Sequence, residues 1–257
     1  MLSRAEKKRI RALSRRKERE DRGLFLAEGV RVVEELVRSP TVLDLAVISS
    51  SLGDTERGRA LEAALRERVD VRRVGAGELN ELAETRTNQG VLVVAEVSSG
   101  DLPDPDPGEA SAILALDGVQ DPGNLGTLVR TAAAFGFDGV VALPGTVDPW
   151  NPKAVRASAG ALFHLPVLVA GLDAMLDRLS PRGHALLGAD AGGAPVGGAR
   201  VPDRVVLAVG NEGAGLSGPV RDRCAGLVAV PMQGGTESLN VAVAAGILMY
   251  ELTRGRM

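Results

Sequence analysis

Three short segments of this 257-residue chain hold side chains whose types and spacing could do chemistry. The first reads Asp117-Gly118-Val119-Gln120-Asp121-Pro122-Gly123-Asn124-Leu125-Gly126-Thr127, ahead of a helix that carries Arg130 and ends at Gly136. Pro122-Gly123 is a strong turn signal, and Thr127 can cap the helix. A turn, a cap and a solvated arginine account for the glycines. They account less well for an amide and a guanidinium set together where a phosphate or ribose could lie. The second segment, Gly210-Asn211-Glu212-Gly213-Ala214-Gly215-Leu216-Ser217-Gly218, contains G-x-G-x-x-G at Gly213, Gly215 and Gly218. It does not read as a dinucleotide site. Pro219 and the next strand at Leu227 leave too short a helix, and Pro231, Met232 and Gln233 stand where a ribose-binding acid belongs. Glycine here permits close backbone approach to some other ligand. The third segment, Pro231 to Asn240, feeds an apolar helix from Val241 to about Leu252. Ser238 reads as its N-cap and Asn240 as part of its first turn, so helix chemistry alone explains this segment in isolation.

The elements that must position these loops form two alternations of helix and strand. The first runs from a charged helix, Ser3 to about Glu20, into the strand Leu24–Ala27. A helix at Val30–Val37, strand Leu43–Ile48, helix Thr55–Arg68, strand Val69–Val74, a short helix near Glu78–Glu84 and strand Val91–Val97 follow, making a small α/β layer structure. Ser98 to Gly108 holds three prolines, two glycines and three aspartates and reads as a linker. Further strands are expected at Ala112–Leu116, Gly139–Leu143, Leu165–Val169, Ala185–Ala189, Val205–Val209 and Leu227–Val230. These are apolar runs with little alternation, as in a parallel sheet covered on both faces, where function gathers at loops leaving the carboxyl ends of strands. The fold class is therefore α/β, with domains at 1–97 and 110–257 joined by a linker at 98–109.

Composition narrows the function. At 45% hydrophobic and 25% charged residues, the chain suits a globular protein of one or two domains. No window approaches the ~18 apolar residues of a membrane span, and no apolar stretch follows the basic N-terminal residues, so no membrane and no secretory signal are expected. Cys224 is the only cysteine, which excludes an internal disulfide and points to a cytoplasmic setting. His164 and His184 are the only histidines and neither has a second plausible ligand nearby, so no metal is expected. The net charge of −3 hides a gradient. Residues 1–22 hold ten basic and four acidic side chains, a segment of +6 on a body of −9. A basic arm on an acidic body suits a protein that holds polyanion at one place, although a solvated basic helix would carry the same charge.

Taken in order, Asp-Pro-Gly-Asn124-Leu-Gly-Thr-x-x-Arg130, Gly210-Asn-Glu212-Gly-x-Gly-Leu and Val230-Pro-Met232-x-Gly-x-x-Glu-Ser238-Leu239-Asn240 are similar to the three motifs of the SpoU (TrmH-like) RNA 2′-O-ribose methyltransferases of the SPOUT superfamily. The likeness spans about residues 110–257. The first part resembles, more loosely, the small RNA-binding domain that often precedes this unit, through Arg15-Arg16-Lys17-x-Arg19, Gly23-Leu-Phe-Leu-x-Glu28-Gly29 and Gln89-Gly90-Val-Leu.

The resemblance implies a C-terminal parallel sheet tied into a trefoil knot, an exception to the rule that chains avoid threading. It implies S-adenosylmethionine bound against Gly210, Val230, Met232 and Leu239, and a homodimer built on the apolar C-terminal helix. It implies methyl transfer to a ribose 2′-oxygen of RNA, with Arg130, Asn124, Glu212, Ser238 and Asn240 as catalytic residues and Arg15, Arg16, Lys17 and Arg19 on the RNA. An arginine is often proposed as the base in such enzymes, but a guanidinium stays protonated above pH ~12. The preferred reading has Arg130 clamp the adjacent phosphate and stabilise charge developing on the 2′-oxygen. Large-subunit ribosomal RNA is the first expectation for the substrate and transfer RNA the second. A non-catalytic ribosome-assembly factor and a nucleotide-dependent oxidoreductase are the rival readings.

Overall fold

The computed structural model describes residues 2–85, 88–98, 100–197, 202–233 and 238–255, which fall into two compact units. One comprises Met1–Ser98 with Trp150–His164, the other Ser99–Pro149 with Leu165–Met257.

The first unit opens on α1 (Arg4–Ala12), started by a capping box. Ser3 Oγ accepts the Glu6 N–H at 3.2 Å, and the Ser3 N–H donates to Glu6 Oε2 at 2.7 Å. The single helix expected to Glu20 is in fact two. The chain breaks around Leu13–Arg15 before α2 (Arg16–Arg22), and Arg19 turns inward to donate to the carbonyls of Leu13 (2.7 Å) and Ser14 (2.9 Å), which the break leaves without helical partners. Gly23, at φ +64°, then takes the left-handed cap that turns the chain into a strand. The rest of the alternation follows as β1 (Leu24–Glu28), α3 (Val30–Arg38), β2 (Leu43–Ser49), α4 (Glu56–Arg68), β3 (Val71–Val74), α5 (Ala76–Leu82) and β4 (Val91–Glu96). The sheet order is β1-β4-β2-β3, with β4 antiparallel to both neighbours and β2 parallel to β3. On one face Leu26, Leu45, Val47, Leu92 and Val94 pack with Ile10 and Leu13 and with Leu79 and Leu82 of α5.

The second unit carries β5 (Ser111–Leu116), α6 (Pro122–Ala134) and β6 (Gly139–Ala142). The chain then enters the first unit through α7 (Pro152–Ala157) and returns as β7 (Val167–Val169), α8 (Leu172–Leu179), β8 (Ala185–Pro195), β9 (Arg204–Val209), α9 (Gly218–Arg223), β10 (Gly226–Ala229) and α10 (Val241–Thr253). Every neighbouring pair in the order β10-β8-β9-β5-β6-β7 is parallel, so all six carboxyl ends lie on one edge. The central strand β5 is buried along its whole length, the double coverage its apolar run implies. Residues 100–108 are irregular, as their prolines dictate, but not loose. Leu102 is buried in the core, its carbonyl accepts from Arg178 at 2.6 Å, and Asp104 pairs with Arg182 at 2.7 Å.

Trp150–His164 differs from the sequence reading, which kept it with the second domain. Strand alternation explains the move: Leu24 and Leu26 face α1, so Phe25 faces the other side. There its ring meets Trp150 at 4.7 Å and Phe163 at 5.7 Å between centroids. Glu35 of α3 also reaches His164 Nε2 at 3.2 Å.

Candidate active site

The carboxyl edge of the parallel sheet brings the three loops together. After β5, Asp121 rather than Thr127 caps α6, accepting the Asn124 N–H at 2.9 Å, with Pro122 in the first turn. Thr127 lies inside the helix and donates its hydroxyl to the Gly123 carbonyl at 2.8 Å.

After β9 the glycine-rich loop folds back on itself. Asn211 and Gly215 exchange backbone hydrogen bonds of 2.9 Å each, and Asn211 Oδ1 accepts the N–H groups of Gly213 (2.9 Å) and Ala214 (3.0 Å). A Cβ on Gly210 would lie 2.1 Å from the Gly215 carbonyl carbon, so only glycine fits there. Asn211 Nδ2 ties the loop to the Gly118 carbonyl at 2.9 Å, and the buried Asp117 accepts the Ser217 N–H at 2.6 Å. The loop leads into α9, only six residues long, which leaves no crossover helix for a dinucleotide fold.

Glu212 stands on this loop and accepts three hydrogen bonds from the first one: the N–H of Gln120 (3.2 Å), the N–H of Asp121 (3.1 Å) and Asn124 Nδ2 (3.1 Å). Burial pulls its carboxyl upward. The hydrogen bonds from Asn124 and from the N–H groups of Glu212 itself, Asp121 and Gln120 outweigh that, leaving it below the ordinary carboxylate range. The third loop joins through Asn240, the N-cap of α10, where sequence reading placed Ser238. Asn240 Oδ1 accepts the N–H groups of Ala242 (2.9 Å) and Val243 (3.3 Å), and its Nδ2 donates to Asn124 Oδ1 at 3.1 Å.

These bonds fix every amide orientation. The helix start needs an acceptor, so Asn240 must point its NH2 at Asn124. Asn124 must then show oxygen to Asn240 and NH2 to the Glu212 carboxylate. A single relay, Glu212–Asn124–Asn240, thus locks three loops from distant parts of the chain.

Beside it lies a cleft of about 410 Å³. Gly210, Val230, Met232 and Leu239, the four residues expected at the cofactor, all line it, with Glu212 and Ser238. Sequence reading missed Asp190 in the middle of β8, which faces the cleft while paired with Arg221, and the apolar floor of Ala245 and Leu248. Asp190 gave no signal because β8 was expected to stop at Ala189. An apolar floor, a backbone-lined glycine loop and two carboxylates suit a flat heterocycle joined to a cationic centre. Among the described residues no cluster of three potential ligands for a metal ion is present. Arg130 is not in the cleft. It lies on the exposed face of α6 and has no hydrogen bond or ion pair among the described residues.

In the first unit the expected RNA contacts part ways. Arg19 is 2% exposed and its guanidinium is spent on the turn before α2, so it is not available to RNA. Arg15, Arg16 and Lys17 are exposed, with Arg16 paired to Glu20 at 2.6 Å. Arg15 continues a face of α1 with Arg4, Lys7, Lys8 and Arg11 around a shallow basic hollow. Spacings of four and three from Arg4 to Lys8 and Arg11 put those cations on one side of α1. No described helix is long and apolar enough to cross a membrane.

Comparison with known proteins bears on this geometry directly. Residues 111–250 match the SpoU rRNA Methylase family, and residues 6–93 match the MRM3-like substrate binding domain. The chain is 36% identical over 241 residues to the 23S rRNA (guanosine(2553)-2′-O)-methyltransferase RlmP of Bacillus subtilis, covering 93% of this chain and 92% of that one. The fold superposes on the SpoU methyltransferase AviRb of Streptomyces viridochromogenes, crystallised with its cofactor AdoMet, with a TM-score of 0.89 and 30% identity over 99% of this chain and 98% of that one. An AdoMet-bound rRNA methyltransferase from Sinorhizobium meliloti gives 0.88 and 29%, over 100% and 97%. The chain belongs to the SpoU rRNA methylase family. It is an S-adenosylmethionine-dependent RNA 2′-O-ribose methyltransferase, and the assembly-factor and oxidoreductase readings fall away.

Proposed function

We propose that the substrate is large-subunit ribosomal RNA and that the Glu212–Asn124–Asn240 relay positions the reacting ribose at the cleft. Support for the target is the likeness to a 23S rRNA enzyme across both units of the chain. Support for the chemistry is the relay itself, three mutually oriented polar side chains at the rim of a cleft lined by the residues expected at the cofactor.

S-adenosylmethionine, when bound, supplies an electrophilic methyl carbon and leaves as a neutral thioether. Gly210 and the folded-back loop would face it with backbone, Val230, Met232, Leu239 and Leu248 with apolar surface. The ionised Glu212 offers charge to a cationic centre nearby. It cannot supply a proton at neutral pH, since its carboxyl sits below the ordinary range. Its part is to hold Asn124, which with Asn240 and Ser238 orients the ribose. Arg130 clamps the neighbouring phosphate and stabilises the charge developing on the 2′-oxygen as its proton passes to solvent water.

The enzyme works as a homodimer in this reading. Val243, Ile247 and Tyr250 lie 52%, 39% and 45% exposed along one side of α10, an apolar stripe costly to leave in water. A second copy covering it would let Arg130, which has no hydrogen bond or ion pair among the described residues, serve the partner's cleft. The trefoil knot and a cytoplasmic site of action belong to the same reading. Exposed Arg15, Arg16 and Lys17, with the basic face of α1, are the arm that meets RNA. The test is to incubate the protein with S-adenosylmethionine and unmodified large-subunit RNA, then transfer RNA, and map 2′-O-methyl groups. Modification of transfer RNA alone would sink the target assignment.

A further inference from the structure

We propose that the first unit holds a second RNA site: a cavity at the start of α3 that takes a backbone phosphate of a nucleotide away from the reacting ribose. The proposal rests on the reading that the enzyme acts on structured RNA, and to Glu28, Gly29 and Gln89 of the motif it adds Arg31 and Arg156, which neither motif nor charge count singled out.

The cavity, about 370 Å³, is lined by Glu28, Gly29, Arg31, Gln89, Arg156 and Ala159 among others. Its cations are unlike the rest of the surface. Arg31 is exposed and has no hydrogen bond or ion pair among the described residues, whereas most arginines of this unit are paired to carboxylates. Arg156 leans towards Glu28 Oε2 at 3.7 Å, too far for a hydrogen bond, and its Nη1 is buried with no acceptor. A buried guanidinium N–H without an acceptor is an unfinished site.

Glu28 does not fill that role. It is 2% exposed, and its oxygens already accept the Glu84 N–H at 2.6 Å, the Thr85 N–H at 3.3 Å and the Thr85 hydroxyl at 3.0 Å. It is an anchor for the 84–85 loop that also keeps Arg156 in place. Gln89 Oε1 accepts the Val30 N–H at 2.7 Å, which turns its NH2 group out as a further donor. Two guanidinium groups, an amide NH2 and the positive end of a nine-residue helix therefore meet one anchored carboxylate. The balance of charge is +1 and the free groups are all donors, which is what an RNA phosphate needs. Ala159, at φ +50°, is the one non-glycine residue in the left-handed region among the described residues, and it forms part of this wall.

Arg156 comes from Trp150–His164, the segment whose sequence lies inside the methylase region but whose contacts lie in the first unit. The site thus exists only because that segment folds there.

The test compares Arg31→Ala, Arg156→Lys and, as a charge-matched control on the same helix, Arg38→Ala in the full-length protein. RNA affinity is measured at several salt concentrations with a large-subunit RNA transcript, and methyl transfer to the same RNA is measured separately. Arg31→Ala and Arg156→Lys are each expected to weaken binding by about 10-fold. Arg31→Ala, which removes a charge, should also make the slope of log K against log salt shallower by about one. S-adenosylmethionine binding and kcat at saturating RNA stay unchanged, and Arg38→Ala behaves as wild type. Arg156→Lys tests the planar guanidinium without losing charge, so its salt slope holds while its affinity falls. Unchanged affinity and slope in Arg31→Ala, with wild-type melting temperature, overturns the site; so does an equal loss in Arg38→Ala. A wild type that binds the transcript but does not methylate it refutes the functional reading, while the comparison of variants still decides the pocket.

Discussion

Glu212, Asn124 and Asn240 form the smallest unit whose chemistry can be argued through. Their types were visible in the sequence as motif residues, but their bonds span 88 and 116 positions, and no local pattern encodes which amide faces which. Arg19 shows the opposite failure. It looked like one more cation in a basic run, and only the break after α1 reveals that two carbonyls claim it. The relay gives a sharp expectation for Glu212→Gln. All three partners of Glu212 are donors, so a glutamine must set its NH2 against one of them. Charge-assisted hydrogen bonds contribute about 1.5–3 kcal/mol, so kcat should fall about 10- to 100-fold and the melting temperature should drop by a few degrees. The pH dependence has a definite sign. A carboxyl held below its unfolded value contributes stability in full above that value and loses it as pH falls through the folded one. Activity owed to Glu212 is therefore flat through neutrality and lost only on acidification below the ordinary carboxylate range. Steady-state pH–rate profiles check it, and a Glu212-dependent loss near pH 7 would contradict it. For Arg130→Lys the account expects a low rate that high pH does not restore; rescue at high pH would favour a base role.

Among the elements, α10 couples structure to chemistry, because one side chain both starts the helix and holds Asn124. Asn240→Ala removes both and should cost about 1 kcal/mol of stability besides most of the activity. Asn240→Asp separates the two roles. It keeps an acceptor for the helix start, and a negative charge there suits the helix dipole, so stability holds. It has no donor for Asn124 Oδ1, so kcat falls more than 10-fold. Thermal melting beside initial rates reads both. Equal activity in Asn240→Asp and wild type would show that the Asn240–Asn124 bond is dispensable. Most strands were legible here, since apolar runs bounded by glycine and proline leave few alternatives. The end of β8 was not: Asp190 and two glycines mask a strand that continues to Pro195 because β10 pairs with it. Nor was the placement of Trp150–His164, which follows from a ring on Phe25 more than a hundred residues away in the chain.

For the whole molecule, the sequence showed a basic arm on an acidic body, and the structure divides that arm into an exposed face and a buried residue. The apolar side of α10 asks for a partner. If that partner is a second copy and Arg130 acts across the pair, two dead variants should rescue each other. Mixing Arg130→Ala with Glu212→Gln after dissociation makes about half the dimers mixed, each with one intact site, so roughly a quarter of wild-type activity returns. No recovery would place Arg130 in its own subunit's site or outside catalysis.

In the proposed function, methyl transfer to a ribose of large-subunit RNA depends on the Glu212–Asn124–Asn240 relay. The most direct test is to give wild type and Glu212→Gln unmodified large-subunit RNA with S-adenosylmethionine and map ribose methylation nucleotide by nucleotide. The account expects one 2′-O-methyl group at a defined position with wild type and little or none with the variant. Methylation of a base atom, of transfer RNA only, or at equal rates by both proteins would contradict it.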